Sequence, residues 1–463
     1  MNPEQEEQKK YKPGEITETL LQRIKDVRKN SGKNPEKVYR FEFKTDQIDI
    51  LNWLQSQKSD TKIFFSGREV NSVQIAGIGI ASVFFRRERE SIKKIFEEFD
   101  DFLDNFEDST RFYGGVSFAD DPGSGREWAS FGSVKFILPR FELARGKNNT
   151  VFAANYLADE LKEKEITELE REIGSINFSD GRESFPDTFI SSLNFLPDLT
   201  GWKKVIEGYL NKIRLKEIRK IVAARRTEVC FDKEADPFVL LRELEKNKDK
   251  STVFLFSFDG ESFFTGSTPE RLFHRDKDML RAEAVAGTRP RGKTGEEDIQ
   301  LGKDLLFSPK ETREQKFVSE EISDKLKDIC EYINVSEKKL LKLSTLQHLY
   351  NKIDGRLRPG TSDKDVLTGL FPTSAVSGLP KDTVMKMQKD MEPFDRGWYS
   401  GLVGFAGREE SDLFVAIRSS LFRNKCAFFY SGAGIVEGSD PDNEWEEIDL
   451  KIKKFLRVFN YEN

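Results

Sequence analysis

Between Val38 and Leu157 the chain carries six strand-like runs, VYRFEF, KIFFSG, SVQIAGIGIASVFF, FYGGVSF, VKFILPRFELA and VFAANYL. Gly, Asn and Asp clusters separate them, and only one clear helical stretch, around Ile92 to Leu103, interrupts the series. Such a block rules out an all-helical fold and does not alternate as a doubly wound βαβ chain would. A second strand-rich block follows in the C-terminal half. Two packed sheets with helices outside, an α+β architecture, is the expected fold.

Around these blocks the pattern is helical or polar. The first fifteen residues, MNPEQEEQKKYKPGE, are charged with two prolines and are expected to form a disordered or loosely attached arm, followed by a helix to about Asn34. Asp159 to Glu172 reads as an exposed helix and Asn177 to Asp187 as a connecting loop. Trp202, Val205, Ile206, Tyr209, Leu210 and Ile213 recur with helical spacing and form one apolar stripe. IRKIVAARRTEV, STVFLFSFDG and LRAEAVAG read as strands, Glu296 to Tyr332 as a long helical region, and LFVAIRSSLFR with KCAFFYSGAGIV as a hairpin before a last helix. Residues 16–190 thus form an N-terminal strand-rich part of the fold.

Composition narrows the chemistry. The 75 basic and 81 acidic side chains give a net charge of −6, which argues against a nucleic-acid partner. His274 and His348 are the only histidines, and Cys230, Cys330 and Cys426 the only cysteines. They are too scattered for a zinc finger, a C-x-x-C redox pair or a disulfide framework. Three lone cysteines and no apolar leader read as a reduced, cytoplasmic protein, and no apolar run is long enough to span a membrane. Chemistry must then rest mainly on Lys, Arg, Asp and Glu.

On the last helix Glu444, Glu447 and Lys451 share a narrow polar arc bordered by Trp445, Ile448, Ile452 and Phe455. An exposed Glu-to-Lys pair explains the spacing; so does a carboxylate pair at a pocket rim, suited to Mg²⁺. In GAGIVEGSDP, Gly432 and Gly434 follow a strand, either to let the backbone turn or to let its N–H groups approach an anion. Arg289, Arg291 and Lys293 read as a solvated loop. Lys220 shares a strand face with Val222 and Ala224. It either snorkels or presents a desolvated amine that can act as a base.

Eight segments occur in order: STPERLF, AEAVAGTRPRG, SPKETREQKFVSEEI, LQHL, FPTSAVSGLPKD, EPFDRGWYSGLVGF, VAIRSSLF and YSGAGIVEGSDPDNEWEEIDLK. This series, from about Trp202 to Leu456, resembles that of the chorismate-utilising enzymes, a family that includes isochorismate, salicylate, anthranilate and aminodeoxychorismate synthases. The resemblance implies a single large α+β domain with antiparallel sheets in a sandwich and helices outside, residues 191–463 forming its chorismate-binding catalytic region. It implies Mg²⁺ held by Glu314 and Glu447 with Glu444 close by. Substrate would lie against Gly287, Thr288, Ala375, Tyr399, Arg418, Gly432 and Lys451, with His348 beside the reacting C4 hydroxyl and His274 structural.

Within that family, Lys220 falls on the base that activates water and Glu270 on the acid that protonates the leaving hydroxyl, as in isochorismate and salicylate synthases. Ala286 stands where aminodeoxychorismate synthases often place a lysine. PTSAVSGLP, with Ala375 and Val376, and Glu283 in AEAVAG favour isochorismate over salicylate formation. The histidine-containing stretch usual around Glu314 reads TREQK here, and Phe371 replaces a common histidine. The implied activity is Mg²⁺-dependent conversion of chorismate to isochorismate for menaquinone or siderophore synthesis, with salicylate formation as the alternative. It needs no obligate glutamine amidotransferase partner, no nucleic acid and no membrane.

Overall fold

The strand Thr252–Ser257 shows how the layers arise. Every one of its residues is buried, Val253 and Leu255 packing on one side against helices and Phe254 and Phe256 on the other against a second sheet. A strand covered on both faces loses its polar alternation, which is why so many segments here read as continuous apolar runs. The computed structural model describes residues 9–30, 37–69, 72–88, 91–119, 126–178, 188–343 and 346–459.

Among the described residues every pairing between two strands is antiparallel, and the single bridge of Tyr11 with Thr45 is parallel. The first sheet runs from Val38–Thr45 through Thr150–Leu157, one half each of Val134–Arg145 and Gln74–Arg86, Lys62–Ser66, Thr252–Ser257 and Ser262–Thr268. It continues through Ser419–Arg423, Cys426–Ile435 and Lys220–Phe231 to Ile190–Leu196. The second sheet takes the other halves of the two long strands. It adds Phe112–Val116, Leu402–Ala406, Glu410–Val415, Arg271–Asp276, Met279–Pro290 and Leu346–Leu357. Strands therefore pass between sheets at two corners. One lies where Gly79 adopts φ 63° and the pairing shifts between Ile80 and Ser82. At the other, Thr268 leads into Arg271 and Val415 into Ser419, side by side and in opposite directions.

Between the sheets lies an aromatic core that includes Phe65, Trp128, Phe131, Phe264 and Trp398, many rings meeting edge to face. Helices Pro13–Asn30, Leu199–Arg214, Pro237–Lys246 and Pro441–Leu456 cover the first sheet through Leu20, Trp202, Leu240 and Ile448. Ile92–Leu103, Pro309–Lys327 and Asp363–Leu370 cover the second through Phe96, Leu326 and Leu367.

Several local expectations are revised. The helical stretch from Glu296 breaks at Ser308, whose hydroxyl caps a new helix with Pro309 at its first position, and the chain turns to a strand from Cys330. Asp159 to Glu172 is two short helices that bury Leu161, Leu169 and Ile173 rather than one exposed helix. In the expected arm, Tyr11 is buried and Pro13 starts a helix; residues 1–8 lie outside the described ones, as does 179–187 of the expected loop. LFVAIRSSLFR is not one strand: it breaks at Arg418, which takes φ 51°.

The cysteines are the clearest correction. Cys230 and Cys426 oppose each other in strand register and form a disulfide across a separation of 196 residues; only Cys330 is free, and buried. The pairing depends on the register of two distant strands, which spacing along the chain does not reveal. Two of the three thiols are thus paired, and cysteine usage no longer points to a reduced compartment. Among the described residues, no helix is long and apolar enough to cross a membrane.

Candidate active site

The second corner places two of the candidate groups. Glu270 lies between the first-sheet strand Ser262–Thr268 and the second-sheet strand Arg271–Asp276, and Arg418 between Glu410–Val415 and Ser419–Arg423. The two crossings are stitched together: Val415 N donates to Glu270 O at 2.9 Å and Ser267 N to Arg418 O at 3.1 Å. Neither residue can continue a ladder in both sheets, so their side chains are free to face the gap between them.

Lys220 opens the neighbouring strand Lys220–Phe231 and pairs with Leu379 of the FPTSAVSGLPKD segment. Its chain lies over Gly434, where a Cβ would come 3.4 Å from the lysine Cε. Among the described residues, its ammonium has no hydrogen bond or ion pair with protein. The cation of Lys220 acts electrostatically on Glu270.

Glu270 has the unusual electrostatics. Burial drives its carboxyl up to about 7, against the opposing pull of Lys220, a 3.5 Å bond from Thr373 Oγ1 and the Arg418 guanidinium; the Glu283 carboxylate adds to the rise. It can therefore keep its proton much closer to neutrality than an ordinary carboxylate, as a general acid requires. Arg418 is half-buried, and its desolvation lowers its pKa from the ordinary guanidinium value. Its guanidinium makes no hydrogen bond to a described residue, so a planar double donor stands without a protein acceptor.

His348 faces Arg418 from the second sheet. Burial first, then Arg418 and Lys451, bring its imidazole down to about 4, so the ring is neutral at pH 7. Thr288, its cross-strand partner, holds Nδ1 at 3.1 Å, and the backbone of Gly287 contacts the ring. Gly287 interrupts its strand at φ 66°, and a Cβ there would meet the Glu311 carboxylate at 2.8 Å.

The last helix supplies the opposite rim. Lys451 donates to Gly432 O at 2.9 Å and pairs with Glu447 at 2.7 Å, so the i,i+4 salt bridge exists, but at a site wall. Burial, with help from Glu447, raises the Glu444 carboxyl above its usual range. Crowded oxygen donors of this kind fit a hard cation, which would relieve their repulsion. Tyr399 stacks on Tyr430 at 5.2 Å and points its hydroxyl at Gly432, where a Cβ would lie 2.9 Å away; burial pushes its phenol up to about 12.

Lys220, Glu270, Arg418, His348, Thr288, Gly287, Lys451, Gly432, Tyr399, Glu447 and Glu444 thus join through successive contacts or electrostatic interactions. Ala375 sits in the turn just after Thr373. Glu314, on the helix Pro309–Lys327, is exposed and does not complete a tight carboxylate triad with Glu444 and Glu447. Among the described residues, the one group of three possible ligands within 4.8 Å is Glu228, Cys230 and Cys426, two of which are spent in the disulfide. Gln315 and Phe371 are buried, Gln315 donating to Ala284 O and Asn351 Oδ1.

Sequence reasoning missed Thr373, although its hydroxyl lies in the quoted PTSAVSG segment. It also missed Arg396, in EPFDRGW, which is buried and donates to Val222 O and Val376 O, tying the Lys220 strand to that segment. Glu311, one helical turn before Glu314, is buried and bonded to Arg289 at 3.0 Å.

Comparison with known proteins gives the same picture over nearly the whole chain. Isochorismate synthase 2 of Arabidopsis thaliana is 32% identical over 97% of this chain and 86% of its own length. Isochorismate synthase MenF of Escherichia coli is 31% identical over 88% of this chain and 89% of its own. The solved structure of the menaquinone-specific MenF from Escherichia coli superposes with a TM-score of 0.84 at 27% identity, covering 96% of this chain and 99% of that one. The family described as chorismate binding enzyme matches residues 21–460, strands of the N-terminal half included, and the chain belongs to that family.

Proposed function

We propose that this protein is an isochorismate synthase, an isomerase that converts chorismate to isochorismate. The relatives named above carry that activity in their names. Within the site, the observation that supports it most is the shared location of Lys220 and Glu270, a basic and an acidic group facing one gap with the unpartnered Arg418 guanidinium beside them.

In this reading Arg418 and Lys451 bind carboxylate oxygens of the substrate, Tyr399 and the backbone at Gly432 and Gly287 shape the cavity, and Ala375 with Thr373 closes it. Lys220, in its neutral form, takes a proton from water as the oxygen bonds to ring C2. The ring double bonds shift, the C4–O bond breaks, and Glu270 gives its proton to the departing hydroxyl, which leaves as water. One water enters and one leaves, so the product is an isomer. The neutral imidazole of His348 hydrogen-bonds near C4. Glu314 and Glu447, with Glu444 nearby, would hold Mg²⁺, which when bound supplies Lewis-acid neutralisation of the ring carboxylate. The likeness to a menaquinone-specific enzyme favours supply of menaquinone synthesis over a siderophore.

The test is incubation of the purified protein with chorismate and Mg²⁺, with and without an ammonium salt, and chromatographic identification of products. Isochorismate alone is expected; salicylate with pyruvate, or an ammonia-dependent product, would replace this reading.

A further inference from the structure

We propose that Arg68, contributed by the N-terminal half, is a positioning residue for Glu270: it fixes the backbone carbonyl immediately before the acid and neutralises a buried carboxylate that faces it. The proposal rests on the reading of Glu270 as the acid, and its test is separable from that reading.

Three contacts carry it. Arg68 Nη1 donates to Pro269 O at 3.1 Å, one residue before Glu270. The same guanidinium forks onto Glu283, with Nη1 2.6 Å from Oε2 and Nη2 on Oε1, and both side chains are nearly buried. On the other side, Arg271 forks onto Asp412 at 2.8 and 3.1 Å and stands 3.7 Å from Glu283. The Glu270 peptide is held as well, its N–H reaching Thr268 Oγ1 at 3.2 Å. The acid is thus fixed at both neighbours, and the neighbour on its N-terminal side is held by Arg68.

The charges facing Glu270 are Lys220, Arg418, Glu283 and the phenol of Tyr399. Glu283 is the anion among them that opposes ionisation of Glu270, and the cations Arg68 and Arg271 offset it, with the Tyr350 hydroxyl donating to Glu283 Oε1 at 3.3 Å. Without Arg68 more of that negative charge acts on Glu270; without Glu283 the Arg68 cation is left over. The two removals therefore push Glu270 in opposite directions, which a merely structural contribution does not do.

The experiment is an infrared titration of the unliganded protein, reading the Glu270 carboxyl band as the difference from Glu270→Gln. Arg68→Met should move the Glu270 midpoint up by roughly half a unit or more, and Glu283→Gln should move it down. Kinetically, Arg68→Met should lower kcat at least about tenfold with KM for chorismate within about threefold, because the acid and not the binding cations is displaced. Glu283→Gln keeps the shape of its side chain and serves alone if Arg68→Met does not fold. A Glu270 midpoint unmoved by either variant, or moved the same way by both, overturns the proposal whatever the reaction. Midpoints that shift as stated in a protein that leaves chorismate unchanged uphold the role of Arg68 and remove the functional reading instead.

Discussion

The two walls of the site are built on different physical terms. At the sheet corner, Glu283 is buried and Glu270 and Arg418 are half-buried, the peptides at Glu270 and Arg418 are bonded to neighbouring strands, and burial holds the Glu270 carboxyl far above the ordinary range. On the helical rim, Glu314 and Glu447 are exposed, and Glu447 pairs with Lys451 one turn away. The first wall is ordered before any ligand arrives. The second leaves its carboxylates open to solvent, and this difference separates the groups proposed for proton transfer from those proposed to hold a cation.

The sharpest way to break the comparison is to delete its reactive pair. Lys220→Ala and Glu270→Ala should each lower turnover of chorismate by roughly 10³-fold or more with unchanged circular dichroism; near-normal initial rates in either variant would sink the assignment of base and acid. On the opposite wall, chelation should abolish activity and added Mg²⁺ restore it. Glu447→Gln should raise the Mg²⁺ concentration for half-maximal rate by about tenfold or more while recovering much of kcat at saturation. If extra Mg²⁺ rescues Glu270→Ala as well, the two walls are not separate.

A smaller effect concerns pH. With Glu270 as the proposed acid and its carboxyl at about 7, kcat/KM should fall as pH rises through that value. Thr373 donates to the carboxylate and holds its pKa down, so Thr373→Val should shift this limb to higher pH; a limb that stays in place or moves down argues against Glu270 as its source.

The smallest is a stability difference. The folded pKa of Glu270 is raised, so its protonated form stabilises the fold below the unfolded value near 4.5, and that contribution is lost as pH rises through about 7. Glu270→Gln should accordingly melt higher than the parent at pH 8, by about 1–3 kcal/mol in free energy, with little difference at pH 4. Equal melting shifts at both pH values would show that the acid is not strained by its surroundings.

What could be read from the chain follows the same division. Alternation set Lys220 on one strand face with Val222 and Ala224, both buried, but left a snorkelling lysine open, and only the resemblance gave it the part of a base. The polar arc of Glu444, Glu447 and Lys451 was legible because helical geometry is local, and the series of composite segments carried Glu270, Arg418 and His348. What depended on pairing between distant strands was hidden. Arg68 meets Glu283 across 215 residues, and Cys230 meets Cys426 across 196. The left-handed turn at Arg418 was hidden too, because nothing in VAIRSS marks it as the place where a strand leaves one sheet for the other. The break at Ser308–Pro309 was legible in principle, as a serine followed by proline is a helix start.

The interleaving of the two halves bears on how this protein can be cut. Strand Lys62–Ser66 pairs with Thr252–Ser257, and Phe112–Val116 with Leu402–Ala406. A fragment trimmed to residues 191–463 would keep all eight recognisable segments yet expose two raw β edges lined with Phe254, Phe256, Val403 and Phe405. Unpaired edges of that kind recruit other chains, so such a fragment is expected to precipitate rather than work, and mixing it with residues 1–190 is a direct assay of whether the missing strands can be supplied in trans.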